Sequence, residues 1–275
     1  MSFADMIKGI AIPETAPRSG DSLPMIRWYN GAKAARPNQA DTPGDFYTRA
    51  SNFPSGLGEP WKNDTRFEND NGGYSTETLK IAILAYRQQP FRDERDPVSN
   101  KVIPGSRQWF TKWEKGMQLY TEVLCFVEGY DGVAVWASDG LTGKAVTGKG
   151  GIIKTYELGL LAEAERVAGG QQLPLWSFWL PISTKRTADG KIAFEDTGYG
   201  SLITPPALHL PKDALDTLFV GAELLEKGAR LMRQQARWAE QKRLPANVVE
   251  GVVVAPALPA PRNVPVNIDS ADIEY

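Results

Sequence analysis

Alternation of apolar and polar positions first becomes regular after Gly72-Gly73. Over residues 78–88 (TLKIAILAYRQ), Leu79, Ile81, Ile83 and Ala85 recur at every second position, the period of a half-buried strand. Residues 118–128 (QLYTEVLCFVE) and 133–138 (VAVWAS) give two more strands, joined at hairpin length by Gly129-Tyr130-Asp131-Gly132. The period then becomes helical. Leu160, Leu161, Ala164, Val167 and Ala168 share one face of residues 154–168, which stop at Gly169-Gly170. Strands at 173–184 (LPLWSFWLPIST) and 191–195 follow, separated by the turn Ala188-Asp189-Gly190. The predicted order is β-β-β-α-β-β.

The flanks differ in texture. Residues 1–73 are rich in Gly, Pro, Asn and Asp with scattered aromatics (Trp28, Tyr29, Phe46, Tyr47, Phe53, Trp61, Phe67), which predicts loops and short strands packed on the core. Pro211 opens a long predicted helix that runs to Arg243. Its Leu215, Leu218, Ala222, Leu225, Ala229, Met232, Ala236 and Ala239 repeat at alternating steps of three and four, a heptad-like seam spanning ~48 Å. Acids in its first half and bases in its second suit the helix dipole. Five prolines set among Ala and Val after Leu244 mark an extended linker. The predicted organisation is an N-terminal extension at 1–73, a core domain at 74–204, the long helix at 205–244, and a linker with an acidic tail at 245–275.

Composition narrows the function classes. The 275 residues are 42% hydrophobic, with 31 Lys+Arg against 33 Asp+Glu, so a nucleic-acid reading must rest on where the cations sit. One cysteine (Cys125) and one histidine (His209) exclude a disulfide framework and every multi-histidine metal site. The apolar runs at 173–182 and 252–258 are far short of the ~20 residues of a spanning helix. With no basic-then-apolar leader, a cytoplasmic location is expected, the bacterial host cytoplasm if a phage encodes the chain.

Enzyme signatures are missing. Residues 143–150 (GKAVTGKG) fit G-x-x-x-x-G-K, yet the following position lacks the Ser or Thr that would hold Mg²⁺. His209 lies in an apolar stretch with no nucleophile motif beside it, and Cys125 lies in an apolar strand as a small hydrophobe. No enzyme, cofactor or metal centre is expected.

Five strands with a helix between the third and fourth are the order of the OB-fold, a small barrel that often binds single strands. The chain closes on an acidic peptide ending in an aromatic residue: Asp269, then Asp272-Ile273-Glu274-Tyr275. A globular domain, a proline-containing linker and such a tail resemble the single-stranded DNA-binding proteins of bacteria and their phages. Their last residues typically read as several aspartates followed by Ile-Pro-Phe. Here Glu274 replaces the proline and Tyr275 the phenylalanine. The resemblance implies an α+β fold: an OB-like five-stranded β-barrel with a helix between strands 3 and 4, a long C-terminal helix and a disordered tail. It also implies binding of single-stranded DNA without strong sequence preference in replication or recombination. Asp269, Asp272, Ile273, Glu274 and Tyr275 would recruit partner proteins, as a free peptide with an apolar end suits a basic, apolar pocket.

Single-strand binding needs cations along the backbone path and flat side chains under the bases. Residues 107–115 (RQWFTKWEK) hold the densest mixture, with Arg107, Trp109, Phe110, Lys112 and Trp113 as candidates. Tyr86, Arg87, Phe91 and Arg92 precede them and indicate a long excursion between the first and second core strands. Trp136 faces away from Val133, Val135 and Ala137, open to a base or to the N-terminal loops. Trp179 faces away from Trp176, Phe178, Leu180 and Ile182. Lys144, Lys149 and Lys154 lie among glycines suited to close approach to phosphates. Two other readings stand beside this one. The 212–243 helix could join subunits into the rings of a strand-annealing recombinase, or the chain could be a non-enzymatic phage structural or interaction protein.

Overall fold

The strand signal in the middle of the chain builds the centre of a large mixed sheet. A computed structural model describes residues 23–28, 44–53, 55–64, 72–99, 101–189, 193–196, 201–234 and 238–239. The strands are β1 (Met25–Trp28), β2 (Phe46–Arg49), β3 (Lys62–Asp64), β4 (Gly73–Thr76), β5 (Thr78–Arg92), β6 (Gln108–Trp109), β7 (Gln118–Val127), β8 (Tyr130–Asp139), β9 (Leu180–Ser183), β10 (Phe194–Asp196), β11 (Ser201–Ile203) and β12 (Ala207–Leu208). Ten share one sheet, ordered β12-β9-β5-β7-β8-β1-β2-β4-β3 with β6 added to β5, while β10 and β11 pair separately. Its ladders are antiparallel except β1 with β8, which is parallel and sets Ile26 opposite Trp136.

Helices cover both faces. On one side lie α1 (Gly140–Thr147) and α2 (Ile152–Thr155), the latter continuing through a π-helical stretch, Tyr156–Leu161, into α3 (Ala162–Val167). Ile152, Tyr156 and Leu160 meet Leu79, Ile81, Ile83, Val123, Cys125 and Trp136 in a first core, which β1 and β2 extend through Ile26 and Phe46. After α4 (Ala214–Thr217), α5 (Gly221–Gln234) supplies Leu224, Leu231 and Met232 to the opposite side. There Leu84, Phe91, Tyr120, Leu124 and Phe126 form a second core. Cover on both faces explains why β5 and β7 carry unbroken buried runs, Ile81 to Ala85 and Tyr120 to Val127, where alternation alone predicts one wet face.

The expected OB-like five-stranded barrel is not what forms. The sheet has ten strands and does not close, and β12 and β3 stand at its edges. Three of the predicted strands are there as β5, β7 and β8, and the helix follows them. The fourth is cut to Leu180–Ser183, because Leu175–Ser177 coils into a 3₁₀ turn in which Ser177 donates its N–H to Pro174 O. The region of the fifth holds β10, which pairs with β11 outside the large sheet. The segment expected as loops and short strands contributes β1 to β3 and the first residue of β4, and these four strands continue the sheet beyond β8.

The long C-terminal helix is also corrected. Leu218 O accepts the Trp179 N–H, Val220 donates to Ser177 O, and Phe219 bridges Phe178, so 218–220 leaves the helix and pairs with 177–179. Gly221, at φ 82°, then turns the chain into the fourteen residues of α5. The tail candidates Asp269, Asp272, Ile273, Glu274 and Tyr275 lie outside the described residues, as does the expected disordered tail. Among the described residues, no helix is long and apolar enough to cross a membrane.

Candidate nucleic-acid interface

A fifteen-residue strand spans ~50 Å, which carries β5 beyond the first core at its far end. The β5–β7 register shifts between Ile83 and Ala85. That bulge places Tyr86 and Gln88 on the helix-bearing side: Tyr86 packs against the first core, and the Gln88 amide donates to Thr147 Oγ1 (2.6 Å) and Thr121 Oγ1 (3.3 Å). Arg92, four residues further on, shares that face. Its guanidinium lies 5.9 Å from the Phe110 ring, and the Phe110 N–H donates to Pro90 O at 3.0 Å. Tyr86, Gln88, Arg92 and Phe110 are all half-buried.

Three lysines lie on the helical segment that covers the same side. Helix α1 lies across β7, with Gly143 close to Thr121 Oγ1 and Leu119 O, and presents Lys144 to solvent. Lys149 is exposed in the turn between α1 and α2, and Lys154 is exposed on α2. Lys154 pairs with Glu157 at 2.6 Å. That carboxylate, with a smaller contribution from Tyr86, holds the ammonium above the ordinary lysine range. The result is a strip of two rings and four cations drawn from β5, the 93–116 excursion and the helical segment.

The other candidates take other places. Arg87 points to the opposite face, where it donates to Glu122 at 2.7 Å and to Trp238 O at 3.0 Å under the Trp238 ring. Phe91 is fully buried. The Arg107 guanidinium lies 3.8 Å from the Phe91 ring centroid, and Trp109 meets Tyr120 edge to face at 5.4 Å. Trp136 is 1% exposed in the first core, edge to face with Phe46, and offers no ring face to a base. Trp113 folds its indole N–H onto Met117 O, next to exposed Lys112. Trp179 is half-buried on the second core, with the Lys80 ammonium 5.9 Å from its ring.

Some members had no sequence signal. Gln88, Thr121 and Thr147 form the polar floor of the strip, and only the bulge, silent in the sequence, brings them together. Asp93 grips Arg107 across fourteen residues, a separation no local pattern marks.

At the other end of β5, Glu77, Thr78, Ser183, Thr184, Lys185, Arg186 and His209 line a shallow cleft of about 290 Å³. There Arg186 already faces Asp45 at 3.5 Å and Glu77 at 3.4 Å, and His209 Nε2 lies 3.3 Å from Ser183 O. Asp45 and Glu77 thus answer Arg186, whereas among the described residues neither Lys144 nor Lys149 forms an ion pair. Among the described residues, no group of three or more His, Cys, Asp or Glu side chains is placed to hold a metal ion. Comparison with protein families, with curated proteins and with solved structures finds no match for the chain.

Proposed function

We propose that this chain binds single-stranded DNA without strong sequence preference and catalyses no reaction. The observation that carries this reading is the strip itself: Tyr86 and Phe110 as rings, and Arg92, Lys144, Lys149 and Lys154 as cations, gathered on one side of the sheet from three segments. Rings stack on any base, because every base has a π face, and cations neutralise phosphates whatever the sequence. The acidic terminus, Asp269 and Asp272 to Tyr275, recruits replication or recombination proteins in this reading, as its resemblance to the tails of single-stranded DNA-binding proteins implies.

Titration of a labelled oligothymidylate of about thirty nucleotides tests it. Saturable binding at low salt is expected. The logarithm of the affinity should fall linearly with the logarithm of the salt concentration, with a slope of about −0.7 for each phosphate neutralised. Tyr86→Ala and Phe110→Ala should each weaken binding while leaving that slope in place. A flat titration at low salt overturns the reading.

A further inference from the structure

Behind the strip, on the opposite face of the same ladder, stands an ion pair that the binding reading does not use. The β5–β6 register sets Phe91 opposite Trp109 and Arg92 opposite Gln108. One step further, Arg107 donates to both carboxylate oxygens of Asp93, each at 2.8 Å. The guanidinium plane is also packed, 3.8 Å from the Phe91 ring centroid and within 6 Å of those of Trp109 (5.7 Å) and Tyr120 (5.8 Å). A two-point hydrogen bond fixes orientation as well as distance. Asp93 follows Arg92 directly, and Arg107 lies three residues before Phe110. The pair therefore closes the ladder that fixes both strip residues, on the side away from the strip.

We propose that Asp93 and Arg107 form a positioning clamp: they hold Arg92 and Phe110 in register for a single strand and touch no nucleotide themselves. This deepens the binding reading and rests on it. The clamp differs from a direct phosphate contact in the sign of one effect. Were Arg107 a phosphate ligand restrained by its acid, removing that acid would tighten binding. For a clamp, removing the acid loosens the ladder, and binding weakens even though a negative charge has gone.

The test measures oligothymidylate affinity and its salt slope for the full chain, Asp93→Asn and Arg107→Ala. Loss of a charge-assisted pair should weaken binding by both variants about fivefold or more, with the two variants sharing one salt slope. Tighter or unchanged binding by Asp93→Asn overturns the clamp. So does a slope for Arg107→Ala shallower by one phosphate than that of Asp93→Asn, since Arg107 would then be a direct contact. A lower unfolding temperature with unchanged affinity of the folded variants also overturns it, leaving the pair a purely structural role. Failure of the full chain to bind at low salt overturns the strip itself, a result separable from each of these.

Discussion

Trp136 meets Phe46 edge to face at 5.7 Å, and its Nε1–H has no acceptor among the described residues. Two costs then separate. Trp136→Ala empties the centre of the first core and should destabilise by about 3–5 kcal/mol. Trp136→Phe keeps most of the ring and deletes an unpaired donor whose burial costs roughly 1–3 kcal/mol, so it should cost well under half as much. Urea unfolding of the two variants checks the ratio. Burial also sets a pH limit. It pushes the Cys125 thiol up to about 12 and raises the Tyr156 phenol as well. Both groups hold their protons more tightly folded than unfolded. Their contribution is complete below the unfolded thiol's pKa of about 8.5 and declines as pH rises from there toward 12. The urea midpoint should fall between pH 8 and pH 10, approximately the onset of that range, and less steeply in Cys125→Ala.

At the scale of elements, α5 is seated by a close approach. Trp176 donates its indole N–H to Leu225 O at 3.1 Å, and a Cβ on Gly228 would run into that indole. A glycine in mid-helix is ordinarily worse than alanine by about 1 kcal/mol. Here Gly228→Ala should instead destabilise, and thermal melting that shows a gain would refute this account of the seating. The same helix shows what was legible in the chain. Its predicted apolar seam does not survive as one face: Leu215 and Leu218 join the first core, while the second face is covered by Leu224, Leu231 and Met232, of which only Met232 belongs to that seam. The segment 218–220 that interrupts the predicted helix is held by backbone bonds to 177–179, which no periodicity announces. Strand β5 was legible through its alternation at Leu79, Ile81, Ile83 and Ala85, and β7 and β8 through apolar runs flanking a hairpin-length turn. The shortness of β9 was not, because Trp176 and Phe178 fit a strand pattern equally well. The site was half legible for one reason. Rings and cations can be counted in a sequence, but the bulge between Ile83 and Ala85 decides which face each takes, and one extra residue exchanges the two sets.

For the whole molecule the two sides of the sheet have different work. The second face is closed by α5 and by Trp238, which is buried over the Arg87–Glu122 pair. The first face leaves Tyr86, Arg92 and Phe110 half-buried beside exposed lysines. Location can therefore be separated from net charge by comparing two double reversals. Lys144→Glu with Lys149→Glu alters the strip, whereas Arg230→Glu with Arg233→Glu alters exposed positions on α5 across the sheet. Each lowers the formal charge of the chain by the same amount, so any effect of overall charge is common to both. If phosphates follow the strip, the lysine pair should weaken oligothymidylate binding and shift the salt slope toward zero by roughly 1.4, two phosphates' worth. The arginine pair should leave the slope unchanged and alter affinity only as far as long-range repulsion, screened beyond ~10 Å at moderate salt, allows. Equal losses from the two variants would mean that the strand responds to the chain's overall field and follows no path along β5.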